Sequence, residues 1–182
     1  MSPHRMFIRP ATPADFTAIL ALNAASVAVL APLDHALLES LHEQAHYHRV
    51  VEDGGTVLAF LLVFREGVRY DSPNYLWFCV RYPRFLYIDR IVVSASARGR
   101  GIGPALYKDL MAVARSSGVD LLCCEYDLEP PNPGSARFHA GFGFHEAGQQ
   151  RVAGGSKSVS LQVLDLTVRA YSEARDTSGS TP

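Results

Sequence analysis

The stretch "ARGRGIGPAL", residues 97–106, joins a run that reads as a buried strand, "FLYIDRIVV" (85–93), to one that reads as a helix, "ALYKDLMAVARSSG" (105–118). Three glycines and two arginines stand within positions 98–103. A turn alone needs far less. A strand that enters a helix through glycines gathers main-chain N–H groups without intrahelical acceptors at the positive end of the helix dipole, which makes an anion site suited to phosphate. Glycine lets the phosphate come close. Arg98 and Arg100 add charge-assisted hydrogen bonds, so the stretch reads as a pyrophosphate cradle. A tight turn with incidental arginines is the plainer alternative.

Two common phosphate loops are excluded by spacing. A Gly-x-Gly-x-x-Gly fingerprint fails from Gly99, where the third position is Pro104, and from Gly101, where it is Leu106. A Walker A loop needs Gly-Lys-Ser/Thr at its end, and neither Gly101-Ile102 nor Gly103-Pro104 supplies it.

The whole chain sets the frame for this loop. With 182 residues, 48% hydrophobic and 19% charged, it has the composition of a folded globular domain, expected to be a single one. A net charge of -1 gives no broad field for nucleic acid or an anionic membrane. The longest apolar run, "VLAFLLVF" (57–64), falls far short of a membrane helix, and the N-terminus lacks a signal-like apolar region, so the expected location is the cytoplasm. Cys79, Cys123 and Cys124 are too few for a disulfide framework and read as buried thiols, the adjacent pair facing opposite sides of a strand.

Outward from the loop, the chain alternates strands and helices. "MFIRPATPADFTAILALNAAS" reads as a short strand and then a helix capped by Thr12 with Pro13 at its start and Phe16, Ile19, Leu20 and Val27 on its apolar side. "DHALLESLHEQA" is a second helix capped by Asp34. "HYHRVVEDGGTVLAFLLVFRE" has the form of a hairpin turning at Asp53, Gly54 and Gly55. Residues 66–84 lack periodicity and carry five aromatics, an excursion read as a substrate wall. After the glycine loop, Ile102, Leu106, Leu110 and Val113 form one helical stripe ended by Gly118. Then come a buried strand, "VDLLCCEYDL", a short helix in "NPGSARFHAGF", and two closing strands. The sum is a mixed α/β domain over residues 1–171 with a polar tail, 172–182, expected to be disordered.

At this point the sequence resembles the GNAT superfamily of acetyl-CoA-dependent N-acyltransferases. Its signature of Arg or Gln, two residues, Gly, one residue, then Gly or Ala is matched by Arg98, Gly101 and Gly103. "FIRPATPAD" resembles the family's first strand and helix entry, and "NPGSARFHAGFGF" its closing motif, with Asn132 eleven positions before Gly143-Phe144. The resemblance runs from residue 7 to about 170. It implies a single domain with a central mixed, mostly antiparallel sheet of about six to seven strands flanked by about four helices. It further implies that Arg98, Gly99, Arg100, Gly101, Ile102 and Gly103 hold the coenzyme A pyrophosphate, that Ile91, Val92 and Val93 line up the pantetheine arm, and that Asn132 and Ser135 also contact the coenzyme. One departure stands out: His139 occupies the position usually held by Tyr, as in some small-molecule acetyltransferases of the superfamily.

Acyl transfer to an amine needs a neutral amine, a polarised thioester carbonyl and a proton for the departing thiolate. An N–H near Val92 or Val93 polarises the carbonyl, as the resemblance implies. His139 is the expected acid, on the argument that neighbours can tune imidazole upward from ~6.5, with a satisfied structural histidine as the alternative. Asp89 and Glu125, carboxylates within apolar strands, are the candidate bases, and Asp89 has the alternative of a structural ion pair with an arginine. Tyr87, on the strand face of Asp89, is a candidate for orienting substrate.

Two rival readings remain. "HEQAH" (42–46) matches His-Glu-x-x-His, in which His42 and His46, one helical turn apart, would bind zinc and Glu43 would activate water. The second helix is expected to end just after it, so a solvated helix end is the favoured reading and no metal is expected. A non-catalytic acyl-CoA-binding protein is the other rival. The expected partners are acetyl-CoA and a small-molecule amine or peptide N-terminus, not nucleic acid or membrane, with a homodimer left open.

Overall fold

The chain is described by a computed structural model over residues 6–26 and 30–167. Val27 and the polar tail at 172–182 lie outside the described residues. Seven strands, β1 (Phe7–Pro10), β2 (Tyr47–Asp53), β3 (Thr56–Arg65), β4 (Leu86–Val93), β5 (Leu121–Glu129), β6 (His145–Val152) and β7 (Lys157–Asp165), alternate with five α-helices: α1 (Phe16–Ala24), α2 (His35–Gln44), α3 (Pro73–Cys79), α4 (Ile102–Ser116) and α5 (Pro133–Gly141). The strands form one mixed, mostly antiparallel sheet in the order β1-β2-β3-β4-β5-β7-β6. This is the α/β arrangement expected from the sequence, with one helix more. The extra helix is α3, inside the stretch read as an irregular wall. Ser72 caps it through its side chain and Pro73 fills its first turn, where a missing N–H costs nothing.

Two compact units make up the fold, Met1–Arg69 with Tyr87–Leu110, and Tyr70–Leu86 with Met111–Pro182. In the first, Arg9 of β1 grips the Asp15 carboxylate with both terminal nitrogens (2.7 and 2.8 Å) while its Nε donates to Glu52 on β2 (2.7 Å). Thr12 adds its amide (2.8 Å) and hydroxyl (3.0 Å) to the same carboxylate. The Arg9 guanidinium holds the Asp15 carboxyl down to about 2. Ala11, Phe16, Ile19, Leu38, Val50, Phe60 and Val92 form one apolar cluster. Between β2 and β3, Gly54 (φ 57°) and Gly55 (φ 82°) supply the two left-handed positions of a tight hairpin turn. His48 on β2 is buried, and its Nδ1 lies 2.8 Å from Nδ1 of His42 on α2. One ring donates and the other accepts. Burial, with the His42 charge second, pushes His48 down to about 4.

In the second unit, β7 lies between β5 and β6, antiparallel to both. Tyr75, Phe78 and Phe85 are buried with ring centroids 5.8 Å (Tyr75–Phe85) and 6.2 Å (Phe78–Phe85) apart, so the aromatics of the excursion turn inward as the packing of α3. Trp77 needs the missing side chain of Gly148, beside a bulge in β6: a Cβ there would stand 2.6 Å from Trp77 Cζ2. The Cys123 and Cys124 thiols are buried, and burial pushes both well up, so they stay protonated and inert.

Acid should weaken the first unit in two stages. Unfolded His48 titrates at 6.5 and the folded ring at about 4, so its stabilising effect, complete above 6.5, is lost as pH falls through about 4. Asp15 contributes on the order of 2 kcal/mol that is complete above 3.8 and lost as pH falls through about 2. Urea unfolding across pH should show both losses, with His48→Phe flattening the upper and Asp15→Asn the lower. Gly148→Val should cost about 1–3 kcal/mol by overpacking against Trp77, and Trp77→Leu in the same chain should recover part of it.

Candidate active site

The glycine loop lies wholly in the first unit. β4 alternates strictly past Asp89: Arg90 and Val92 are buried, while Ile91 and Val93 are half-exposed on the other face. Val92 belongs to the apolar cluster around Phe16 and Ile19. Ser94 ends the strand by donating its N–H to Leu58 on β3 (2.8 Å), and a short 3-10 turn, Ala95–Ala97, leads to Arg98. Arg98 is exposed and extended (φ -63°, ψ 151°). Gly99 (φ 77°) and Gly101 (φ 76°) are left-handed, a conformation that side chains resist. A Cβ on either would meet no protein atom within 4 Å, so the space above the loop is open to a ligand.

Helical bonding in α4 begins with Ala105 N–H to Gly101 carbonyl (3.0 Å). Pro104 has no N–H, so the amides of Ile102 and Gly103 head the helix with no intrahelical acceptor. These features fit a diphosphate: paired N–H donors, a helix dipole and open room. Arg100 is used differently from Arg98. Its Nη2 is 2.9 Å from Oδ2 of Asp53 at the hairpin turn, an ion pair that ties the loop to β2.

The second unit gathers Asn132, Ser135, His139 and Glu125. Asn132 caps α5 by accepting from Ser135 N–H (3.1 Å), which explains the Asn of the motif in structural terms. His139 is buried. Its Nδ1 lies 2.8 Å from the Ser135 carbonyl and 3.2 Å from the Ser135 hydroxyl. A carbonyl only accepts, so Nδ1 carries the proton, and Nε2 of the neutral ring bears the lone pair. Burial lowers the His139 pKa, opposite to the upward tuning expected from the sequence. The imidazole stacks on Tyr126 of β5 (centroids 6.1 Å, 17° between planes). Glu125, the preceding residue, points to the opposite face, where its Oε1 accepts from Asn74 Nδ2 on α3 (2.8 Å). Asn74 Oδ1 in turn accepts from Gln150 Nε2 on β6 (2.6 Å).

Several sequence-based candidates take other places. Asp89 forms an ion pair with Arg90 (2.6 Å), and Arg90 also donates to Asn23 Oδ1 on α1 (3.0 Å), the structural arrangement weighed as its alternative. Tyr87 is 1% exposed and so is core in this structure. The His-Glu-x-x-His segment does not form its helical motif. α2 ends at Gln44, Ala45 is extended, and His46 N–H already bonds Val63 on β3 (3.0 Å), so His42 turns to His48 instead. No three His, Cys, Asp or Glu side chains are grouped to hold a metal among the described residues. Asn74 and Gln150 were not anticipated. Their partners are 51 and 76 residues away, beyond the reach of local pattern.

The model of the acetyltransferase (GNAT) family matches residues 17–144, and the chain belongs to that family. No curated protein matches the sequence. An N-acetyltransferase from Staphylococcus aureus Mu50 is similar at 27% identity and a TM-score of 0.67, over 89% of this chain and 99% of that one. The structure of yncA from Salmonella typhimurium, solved with its cofactor acetyl-CoA, shares the fold at 22% identity and a TM-score of 0.66, over 89% and 94% of the two chains. So does the ribosomal-protein-S18-alanine N-acetyltransferase from Escherichia coli, at 17% identity and 0.66, over 89% and 94%. The chain is therefore an acyltransferase, an acetyl-CoA-dependent N-acetyltransferase by family and fold.

Coenzyme A binding should separate the two loop arginines. By calorimetry, Arg98→Ala should weaken it by about tenfold or more, the loss of one charge-assisted phosphate contact. Gly101→Val should do at least as much, because a β-branched residue resists φ 76°. Arg100→Ala should act less on affinity than on stability, since its partner is Asp53.

Proposed function

We propose that the protein acetylates a primary amine of a small molecule or amino acid by direct attack on acetyl-CoA, with Glu125 as base and His139 as the group that hands a proton to sulfur. The observation that carries this reading is the family match together with the open glycine loop, which leaves the amides of Ile102 and Gly103 at the head of α4 for a diphosphate; β5 carries the Glu125 carboxylate and Tyr126, on which the His139 ring packs. The amine adds to the thioester carbonyl and the thiolate is expelled from the tetrahedral adduct, so the reaction asks for a base for the ammonium and a proton for sulfur.

The loop from Arg98 to Gly103, with Asn132 and Ser135, holds the coenzyme; bound acetyl-CoA supplies the thioester. Glu125 takes one proton from the acceptor's ammonium, leaving the lone pair that attacks the carbonyl carbon. His139 starts neutral, so Nε2 can accept the second proton as the C–N bond forms and pass it to sulfur as the C–S bond breaks. The products are the amide and the free thiol, and the proton on Glu125 returns to water. Main-chain N–H groups near Val92 and Val93 polarise the carbonyl. Asp89 is a weaker choice of base because Arg90 already claims its carboxylate. Three cysteines without a disulfide suit a reducing compartment such as the cytoplasm.

Thiol release from acetyl-CoA across amines, amino acids and short peptides tests the reading. Small alkylamines should release thiol. Glu125→Gln should lower kcat about 100-fold or more, and His139→Ala should lower kcat far more than it weakens coenzyme binding. Coenzyme uptake without thiol release from any acceptor would make the protein a non-catalytic binder, and release with peptides alone would move the acceptor to peptide N-termini.

A further inference from the structure

Glu125, Asn74 and Gln150 come from β5, α3 and β6 and meet through two short side-chain bonds, Asn74 Nδ2 to Glu125 Oε1 at 2.8 Å and Gln150 Nε2 to Asn74 Oδ1 at 2.6 Å. The polarity of the chain is set at its end. An ionised carboxylate only accepts, so Asn74 must turn its NH2 toward Glu125 and its oxygen away, and Gln150 must offer an N–H to that oxygen. Neither amide can then rotate without breaking a bond. The geometry is held from behind by Trp77, three residues along α3, which packs on the bare backbone of Gly148, two residues before Gln150. Tyr75, next to Asn74, is buried at 1% exposure.

We propose that Asn74 and Gln150 are positioning residues for acetyl transfer: the amide relay fixes the orientation in which the Glu125 carboxylate meets the acceptor. This rests on Glu125 being the base. A relay of two amides restrains the carboxylate through directional hydrogen bonds, each amide's orientation fixed by the next.

The titratable groups on the neighbouring elements of this unit are mostly neutral or paired. On β5, Cys123 and Cys124 are protonated by burial, and Asp127 is met by Lys157 of β7 at 3.1 Å. Leu161 is the residue of β7 directly opposite Glu125. The titratable side chains of α3 are Tyr75 and Cys79, and Arg81 just beyond it lies over the Trp77 ring at 3.8 Å. On β6, His145 is exposed, Glu146 accepts from Ser160 and Gln149, and Arg151 pairs with Glu129.

The test follows the carboxyl carbon resonance of Glu125 by NMR in the full chain, assigned by its loss in Glu125→Gln, through a pH titration of each variant. The midpoint should rise by about one pH unit in Asn74→Leu, further in Asn74→Asp, where a second carboxylate replaces the donor, and less in Gln150→Leu, where only the outer bond goes. With an alkylamine acceptor, the acid limb of kcat/KM should move by the same amount and kcat should fall about tenfold, while KM for acetyl-CoA stays within about twofold. A purely structural role would leave the midpoint in place. Gln150 is half-buried, so Gln150→Leu decides the matter if the Asn74 variants do not fold. Thiol release with an unmoved midpoint overturns the relay alone; a moved midpoint without thiol release from wild-type protein overturns acetyl transfer and the positioning role with it.

Discussion

The first amides of α4 have nowhere within the helix to turn. Intrahelical bonding starts only at Ala105, Pro104 contributes no N–H, and Gly99 and Gly101 hold the chain in the left-handed conformation that brings Ile102 and Gly103 to the head of the helix. That constraint explains the composition of residues 98–103 better than a turn does. It also explains the two arginines. One, Arg100, braces the loop against Asp53 at the hairpin turn, and the other, Arg98, stays at the surface beside the open space above the glycines. A diphosphate fits each of these features, and the chain's family uses acetyl-CoA, which carries one.

Strand alternation sets the surroundings of the residues proposed for catalysis. Glu125 and Tyr126 are neighbours in sequence but face opposite sides of β5, so a carboxylate and an imidazole are recruited to the two faces of one strand. Burial tunes His139 toward the neutral form against the opposing effect of the Ser135 carbonyl, while that bond fixes the proton on Nδ1. Asn74 and Gln150 link Glu125 to α3 and β6 through two side-chain bonds.

Much of this was legible in the sequence wherever one local rule decided the outcome. Thr12, Asp34 and Asn132 mark helix entries, Gly54-Gly55 marks the hairpin, and the Arg98–Gly103 spacing marks the loop, because caps and turns depend on residues within a few positions of one another. α3 was missed although Ser72-Pro73 is a helix-start signal; the aromatics after it hid the pattern by being apolar on nearly every side. "HEQAH" misled in the other direction, since its spacing matters only on a continuous helix and α2 stops at Gln44. The Asn74–Gln150 bond could not be read at all. It depends on a bulge in β6 and a glycine under Trp77, features that exist only once the strands are paired.

Coenzyme recognition by this chain turns on the amides that head α4. An amide-resolved NMR titration of the folded protein with acetyl-CoA should move the N–H resonances of residues 99, 101, 102 and 103 early and together, at the concentration that saturates binding. Saturation that leaves those four in place and moves resonances elsewhere would contradict it.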